Sequence, residues 1–177
     1  IPGMLERTII CDGASKTYAM TGWRLGYAVN KKLAPYFSTW MTNTTSCPNH
    51  MTQWAMVEAL KGSQEEPDRM MAIFKERRNL IVSGLNEVEG VTCLSPGGAF
   101  YAWPNITELC KIVGASDSED FRKKLLYDAG VAVLADIHFG MRVPGEGQHI
   151  RFSYATSNEN IIQGIERIKD FIKTHRK

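Results

Sequence analysis

The sequence predicts an α/β fold in two parts: a partial sheet, and a small α+β domain joined to it by a long helix. Three observations carry this. Two short apolar runs, 7–12 and 24–29, have the texture of strands and lie in the first third of the 177 residues. An apolar stripe of helical period runs from Pro67 to about Val88, through Met70, Ile73, Phe74, Leu80, Ile81 and Leu85. After Gly90 the pattern changes to short strands alternating with capped helices. Two strands cannot make a doubly wound sheet with covered edges, so the front part is expected to lack its remaining strands.

The elements follow in order. RTIICD (7–12) reads as a buried strand and RLGYAV (24–29) as a second, with a loop rich in Gly, Ser and Thr over 13–23. Residues 31–40 and 48–61 read as helices, the second with Pro48 in its first turn, and 62–66 as a break. The long helix follows. Val91–Leu94 and Ala99–Trp103 read as strands about the turn Ser95-Pro96-Gly97-Gly98. Ser116-Asp117-Ser118-Glu119 has the form of a capping box and opens a helix that Gly130 ends. Val131–Leu134 and Ile150–Tyr154 are further strands. Ser157 caps a last helix with Ile161, Ile162, Ile165, Ile168, Phe171 and Ile172 on one face. The domain reading is therefore 1–66 for part of a larger domain, 67–90 for the long helix and 91–177 for the small domain.

Composition narrows the function classes. Apolar residues make up 44% and charged residues 23%, the balance of a globular protein. A net charge of +2 from 21 basic and 19 acidic side chains gives no electrostatic case for nucleic acid or an anionic membrane as partner. No apolar run reaches the ~20 residues of a membrane span. The four cysteines (Cys11, Cys47, Cys93, Cys110) have neither CxxC spacing nor a histidine at metal-ligand spacing, which predicts a reducing cytoplasm, no disulfide framework and no metal site. The chain opens at Ile1-Pro2-Gly3, and its first strand follows almost at once, which reads as a cut inside a larger protein.

One stretch carries chemistry. Lys16 follows a strand directly and is flanked by Ala14, Ser15, Thr17, Tyr18 and Ala19. A lysine held among such residues can be partly desolvated, which lowers its pKa toward a nucleophilic amine able to form a Schiff base. Arg24, eight residues on, offers a planar fork suited to phosphate, and Gly22 permits close backbone approach.

Ser15-Lys16-Thr17-Tyr18-Ala19-Met20-Thr21-Gly22-Trp23-Arg24-Leu25-Gly26-Tyr27 closely resembles the cofactor-lysine signature of class I/II aminotransferases, the aspartate aminotransferase-like pyridoxal-phosphate enzymes of fold type I. Pro96-Gly97-Gly98-Ala99-Phe100-Tyr101 resembles that family's entry to its small domain. Gly145-Glu146-Gly147 followed by Ile150-Arg151-Phe152-Ser153-Tyr154-Ala155 resembles the segment carrying its substrate-carboxylate arginine. The resemblance covers essentially the whole chain and matches the C-terminal portion of such an enzyme.

The resemblance implies pyridoxal 5'-phosphate as cofactor and transamination between an α-amino acid, aspartate or one handled similarly, and a 2-oxo acid. It implies that Lys16 forms the Schiff base and shuttles the substrate's α-proton, that Arg24 binds the cofactor phosphate, and that Arg151 clamps the substrate carboxylate. Many relatives carry a serine three residues before the lysine. Gly13 stands there, so its N–H and the Ser15 hydroxyl are the candidate cofactor contacts. The loop Ala135-Asp136-Ile137-His138-Phe139-Gly140 is bulkier than the family's. His138 reads as a surface or supporting residue, and Phe100 and Tyr101 as apolar wall or core. The family's aspartate for the pyridine nitrogen lies upstream of the lysine, and Asp12 is too close to be it. The chain alone is therefore expected to be inactive. The resemblance also implies a homodimer, with Thr42–Cys47 reaching toward the neighbouring site. Two alternatives stay open: a cofactor-sensing aminotransferase-like domain of a transcription regulator, and a lyase or synthase on the same fold.

Overall fold

The computed structural model describes residues 1–177 as two units, 1–70 and 71–177. In the first, a 3₁₀ turn at Leu5–Arg7 leads to β1 (Ile10–Gly13), which pairs antiparallel with β2 (Gly26–Val29). The register runs from Ile10 opposite Val29 to Gly13 opposite Gly26. The glycine pair lets the chains close tightly: a Cβ on Gly26 would stand 3.0 Å from the Asp12 carbonyl oxygen. Both strands are shorter than the sequence predicts and largely exposed rather than buried, because each has only the other as a sheet neighbour.

The segment between them is not simply a loop. It contains one helical turn, α1 (Ala14–Thr17), and a 3₁₀ turn at Thr21–Trp23. α2 (Ala34–Thr44) starts later than expected, with Pro35 in its first turn, where the missing N–H costs nothing. α3 (His50–Lys61) is capped by Asn49, whose side chain accepts the Thr52 N–H at 3.3 Å, so Pro48 lies outside the helix. The buried cluster of this unit is small: Ala14, Met20 and Met56, with Tyr18, Leu25, Ala55 and Ala59 against it.

The long helix, α4 (Glu65–Asn86), begins two residues before Pro67. In the second unit its Ile81 and Leu85 are buried, with Phe74 and Leu80 packed at the core's margin. β3 (Tyr101–Ala102), β4 (Leu134–Ala135) and β5 (Ile150–Ser153) form an antiparallel sheet with β5 in the centre. The predicted strand at Val91–Leu94 contracts to a single bridge between Thr92 and Asn105. A short helix that the sequence reading lacks, α5 (Thr107–Ile112), begins where Asn105 Oδ1 accepts the Thr107 N–H at 2.9 Å.

α6 (Ser118–Ala129) is capped by Asp117, one residue beyond Ser116: Asp117 Oδ1 takes the Asp120 N–H at 2.8 Å, and Asp120 Oδ2 takes the Ser116 N–H at 2.9 Å. Gly130 ends it in the left-handed conformation. α7 (Asn158–His175) is capped by Ser157. Its buried face is Ile161, Ile165, Ile168, Phe171 and Ile172, while Ile162 points outward. These side chains meet Phe121 and Leu125 of α6 and Ile150 of β5 in the unit's core. No helix is long and apolar enough to cross a membrane.

Register decides what the small sheet shows on its other side. Ala102, Ala135 and Ile150 face the core and are buried. Successive strand residues alternate faces, so Tyr101, Leu134, Arg151 and Ser153 lie on the opposite side.

Candidate active site

The lysine turn is fixed from below. Ala14, fully buried, and Met20 pack against Met56 of α3, and the Tyr18 hydroxyl donates to Gln64 Oε1 at 3.2 Å. The Ala14 N–H donates to the Leu25 carbonyl at 3.2 Å, joining the start of α1 to the strand that follows Arg24. Lys16 therefore sits on one turn of helix directly after β1, on the exposed side of that turn.

Arg24 adopts the left-handed conformation (φ 53°, ψ 51°), as does Ala19 (φ 53°). Each such residue costs about 1–2 kcal/mol relative to the right-handed form. The two bracket the 3₁₀ turn, and the Arg24 guanidinium donates from Nη1 to the Thr21 carbonyl at 2.8 Å. That bond fixes one edge of the fork and leaves the remaining donors to a ligand. A Cβ on Gly22 would meet nothing within 4 Å, so the space beside this turn is open.

Gly13, Ser15, Lys16 and Arg24 thus come together around one strand–turn–strand unit. Ser15 is half-buried. The Gly13 N–H is engaged, donating to Asp12 Oδ1 at 2.7 Å. A primary amine, a guanidinium and a hydroxyl in one open turn form a donor set suited to a ligand bearing an aldehyde and a phosphate. The residues present fit pyridoxal phosphate.

Arg151 lies in the second unit, on the central strand β5 opposite Leu134. Its guanidinium carbon is 4.1 Å from the centroid of the Tyr101 ring and 4.4 Å from that of Phe139. Two aromatic faces hold the plane of the fork and leave its edge, where the donors are, for a carboxylate. Phe139 is in turn met edge-on by Trp103 at 5.3 Å, and Trp103 stacks on His149 at 5.7 Å. A cavity of about 150 Å³ lies beside this row, lined by Trp103, Phe139, Arg142, Glu146 and His149 among others.

The loop at 136–149 holds the groups that sequence reasoning missed. Asp136, 8% exposed, accepts Arg142 Nε at 2.8 Å and Nη2 at 2.9 Å, the Ser118 hydroxyl at 2.6 Å and the His149 N–H at 3.0 Å. Burial alone would raise its pKa, but the bonds from Arg142, Ser118 and His149 outweigh it and bring the carboxyl down to about 2. Arg142 had a faint signal, an arginine inside a glycine-bounded loop that also holds an aspartate. His138 is partly exposed and lies 3.6 Å from Glu119, in keeping with a supporting place.

The sequence pattern of the family described as aminotransferase class I and II matches residues 3–168. An aspartate/prephenate aminotransferase of Cereibacter sphaeroides is 40% identical over 176 residues, which is 96% of this chain and 43% of that protein. The crystal structure of the aspartate aminotransferase from Rhizobium meliloti superposes with a TM-score of 0.87 at 35% identity, covering 100% of this chain and 44% of that one. An aromatic aminotransferase from Pyrococcus horikoshii gives 0.85 at 33% identity, covering 98% and 45%. The chain thus spans less than half the length of the relatives it matches, and what it shares with them is the fold-type I architecture. At such identity along nearly its whole length, the chain belongs to the class I and II aminotransferases.

Proposed function

We propose that this chain serves pyridoxal-phosphate-dependent transamination between an α-amino acid and a 2-oxo acid, with aspartate or a similarly handled amino acid as donor. The observation that carries the reading is the placing of Lys16 on a single helical turn after β1, beside the strained turn that aims Arg24. When bound, the cofactor supplies an electrophilic carbonyl and an electron-accepting ring. Lys16 would hold it covalently through its amine. Released by the substrate's amine, Lys16 in its neutral form would take the proton from the substrate α-carbon and return it on the far side of the exchange. Arg24 and the Ser15 hydroxyl would bind the phosphate, and Arg151 would take the α-carboxylate in a bidentate grip.

The donor preference rests on the relatives, two of which are named for aspartate. The family supports a homodimer and the domain reading, with 1–66 part of the cofactor-binding domain and 91–177 the small domain. Four unpaired cysteines, two of them exposed, support the reducing cytoplasm.

The test is spectroscopic. The complete protein, loaded with pyridoxal phosphate, is expected to show a visible absorbance band that Lys16→Ala abolishes while leaving the fold intact by circular dichroism. A band unchanged in the variant overturns the lysine assignment. Arg151→Lys is expected to raise KM for the amino acid at least tenfold, with the band retained, because an ammonium cannot reproduce the two-pronged contact.

A further inference from the structure

Arg151 is held by rings, and one of those rings is held by a charge cluster. Phe139 ends the 3₁₀ turn that Asp136 begins, so the position of Asp136 sets the position of the ring. Asp136 is anchored on three sides. Its carboxylate takes the hydroxyl of Ser118, the first residue of α6, and the N–H of His149, the residue before β5. Its own N–H donates to the His149 carbonyl at 3.0 Å, which closes the base of the loop. The third anchor comes from within the loop itself: Arg142 folds back, grips both carboxylate oxygens and also reaches the Ser118 hydroxyl from Nη2 at 2.6 Å. Gln148 adds a brace, accepting the Ser118 N–H at 2.8 Å.

The tip of the same loop has no such support, with Met141 98% and Val143 64% exposed. Arg142 lies within that open tip, between Met141 and Val143, and its side chain reaches back to the anchored base. Its contacts add to those of Ser118 and His149 the anchor that comes from within the loop, beside the turn bearing Phe139.

We propose that Arg142 is a positioning residue for substrate binding: through Asp136 it fixes the turn that lays Phe139 on the Arg151 guanidinium, and so orients the fork that receives the substrate carboxylate. This rests on the reading of Arg151 given above. Without the clamp the ring leaves one face of the guanidinium, and the fork must be ordered at the moment of binding. An aromatic face contributes roughly the equivalent of a three- to fivefold change in affinity. The loss falls on carboxylate binding and not on the lysine turn, which belongs to the other unit.

The experiment uses the complete, cofactor-loaded protein with four variants. Arg142→Met and Phe139→Leu are expected to raise KM for the amino acid by roughly three- to fivefold. The dissociation constant of succinate, a non-reacting dicarboxylate, is expected to rise in parallel by calorimetry. The visible band and cofactor retention stay as in the parent, and kcat falls less than KM rises. Phe139→Tyr keeps the ring and is expected to restore both constants. Should Arg142→Met fail to fold, Phe139→Leu decides, since it leaves the clamp intact. Unchanged succinate binding in Phe139→Leu, or a kcat loss with KM and succinate binding unaltered in Arg142→Met, overturns the proposal. Arg151→Lys separates the two levels: if it too binds succinate normally, the reading of Arg151 falls, whereas its loss of binding beside normal Phe139→Leu and Arg142→Met defeats the positioning role alone.

Discussion

Asp136 shows how far one residue's surroundings can be read as energy. Its carboxyl lies near 2 in the folded chain against an ordinary 3.8, so folding favours the ionised form. A group with a depressed folded pKa lends its stability above the unfolded value, and loses it as pH falls through the folded one. The difference corresponds to about 2 kcal/mol, present above pH 4 and gone near pH 2. Asp136→Asn is expected to be less stable than the parent by at least that amount at pH 6, since Arg142 then lacks its counter-charge. In urea titrations the gap should narrow steadily between pH 4 and pH 2, because the protonated aspartate resembles the amide. The other lowered carboxyls, Glu119 and Asp120 among them, are common to both proteins and cancel. A gap independent of pH would show that the cluster contributes no ionised-state stability. Lys16, Arg24 and Arg151 could be singled out from the sequence because each stands in a local word of a few residues. The Ser118–Asp136–Arg142 cluster was not, because its partners are brought together only by tertiary folding. Nor could the sequence show that the Gly13 N–H is taken by the neighbouring Asp12 side chain, which is a matter of one rotamer.

At the scale of elements, helices with strong caps were legible and short strands were not. Ser157 and Gly130 mark the helix ends the sequence named, and the caps Asn49 and Asp117 each stand one residue beyond the Pro48 and Ser116 it pointed to, since the cap chemistry is local. The stretches at 91–94 and 131–134 have β-branched texture, yet only Thr92 bridges and only Leu134 and Ala135 pair, since strand pairing depends on what lies opposite. The bend that ends α4's contribution is fixed by Gly90. It has φ +78°, its carbonyl accepts the Leu109 N–H at 3.1 Å, and a Cβ there would stand 2.7 Å from that same nitrogen. The obstacle is backbone, so it cannot swing aside as a side chain could. Gly90→Ala combines a left-handed penalty of about 1–2 kcal/mol with displacement of α5, and a loss of at least about 2 kcal/mol is expected in urea unfolding. A change below 0.5 kcal/mol would mean that α5 is free to move.

Over the whole molecule the two units differ most in how much they bury. The first has a cluster centred on Ala14, Met20 and Met56, and leaves Tyr36, Trp40 and Trp54 exposed. The second gathers Leu85, Phe121, Leu125, Ile150, Tyr154 and Phe171 among many others. Local stability follows buried apolar contact, so residues 1–70 are expected to open at lower denaturant than 71–177. The cysteines report this without added probes. Cys11 and Cys47 are exposed in the first unit, whereas Cys93 and Cys110 are buried in the second, and burial, helped by the Asp117 charge, pushes the Cys110 thiol up to about 11. Only the thiolate reacts with alkylating reagents, so both accessibility and ionisation protect the second pair. In the native chain at pH 8, Cys11 and Cys47 should label promptly and Cys93 and Cys110 should not. Under rising urea, the near-ultraviolet signal of the first unit, which holds Trp23, Trp40 and Trp54, should fade before the buried thiols begin to react. Labelling of Cys110 in step with that early loss would show that the two cores melt together and that burial in 71–177 confers no stability of its own.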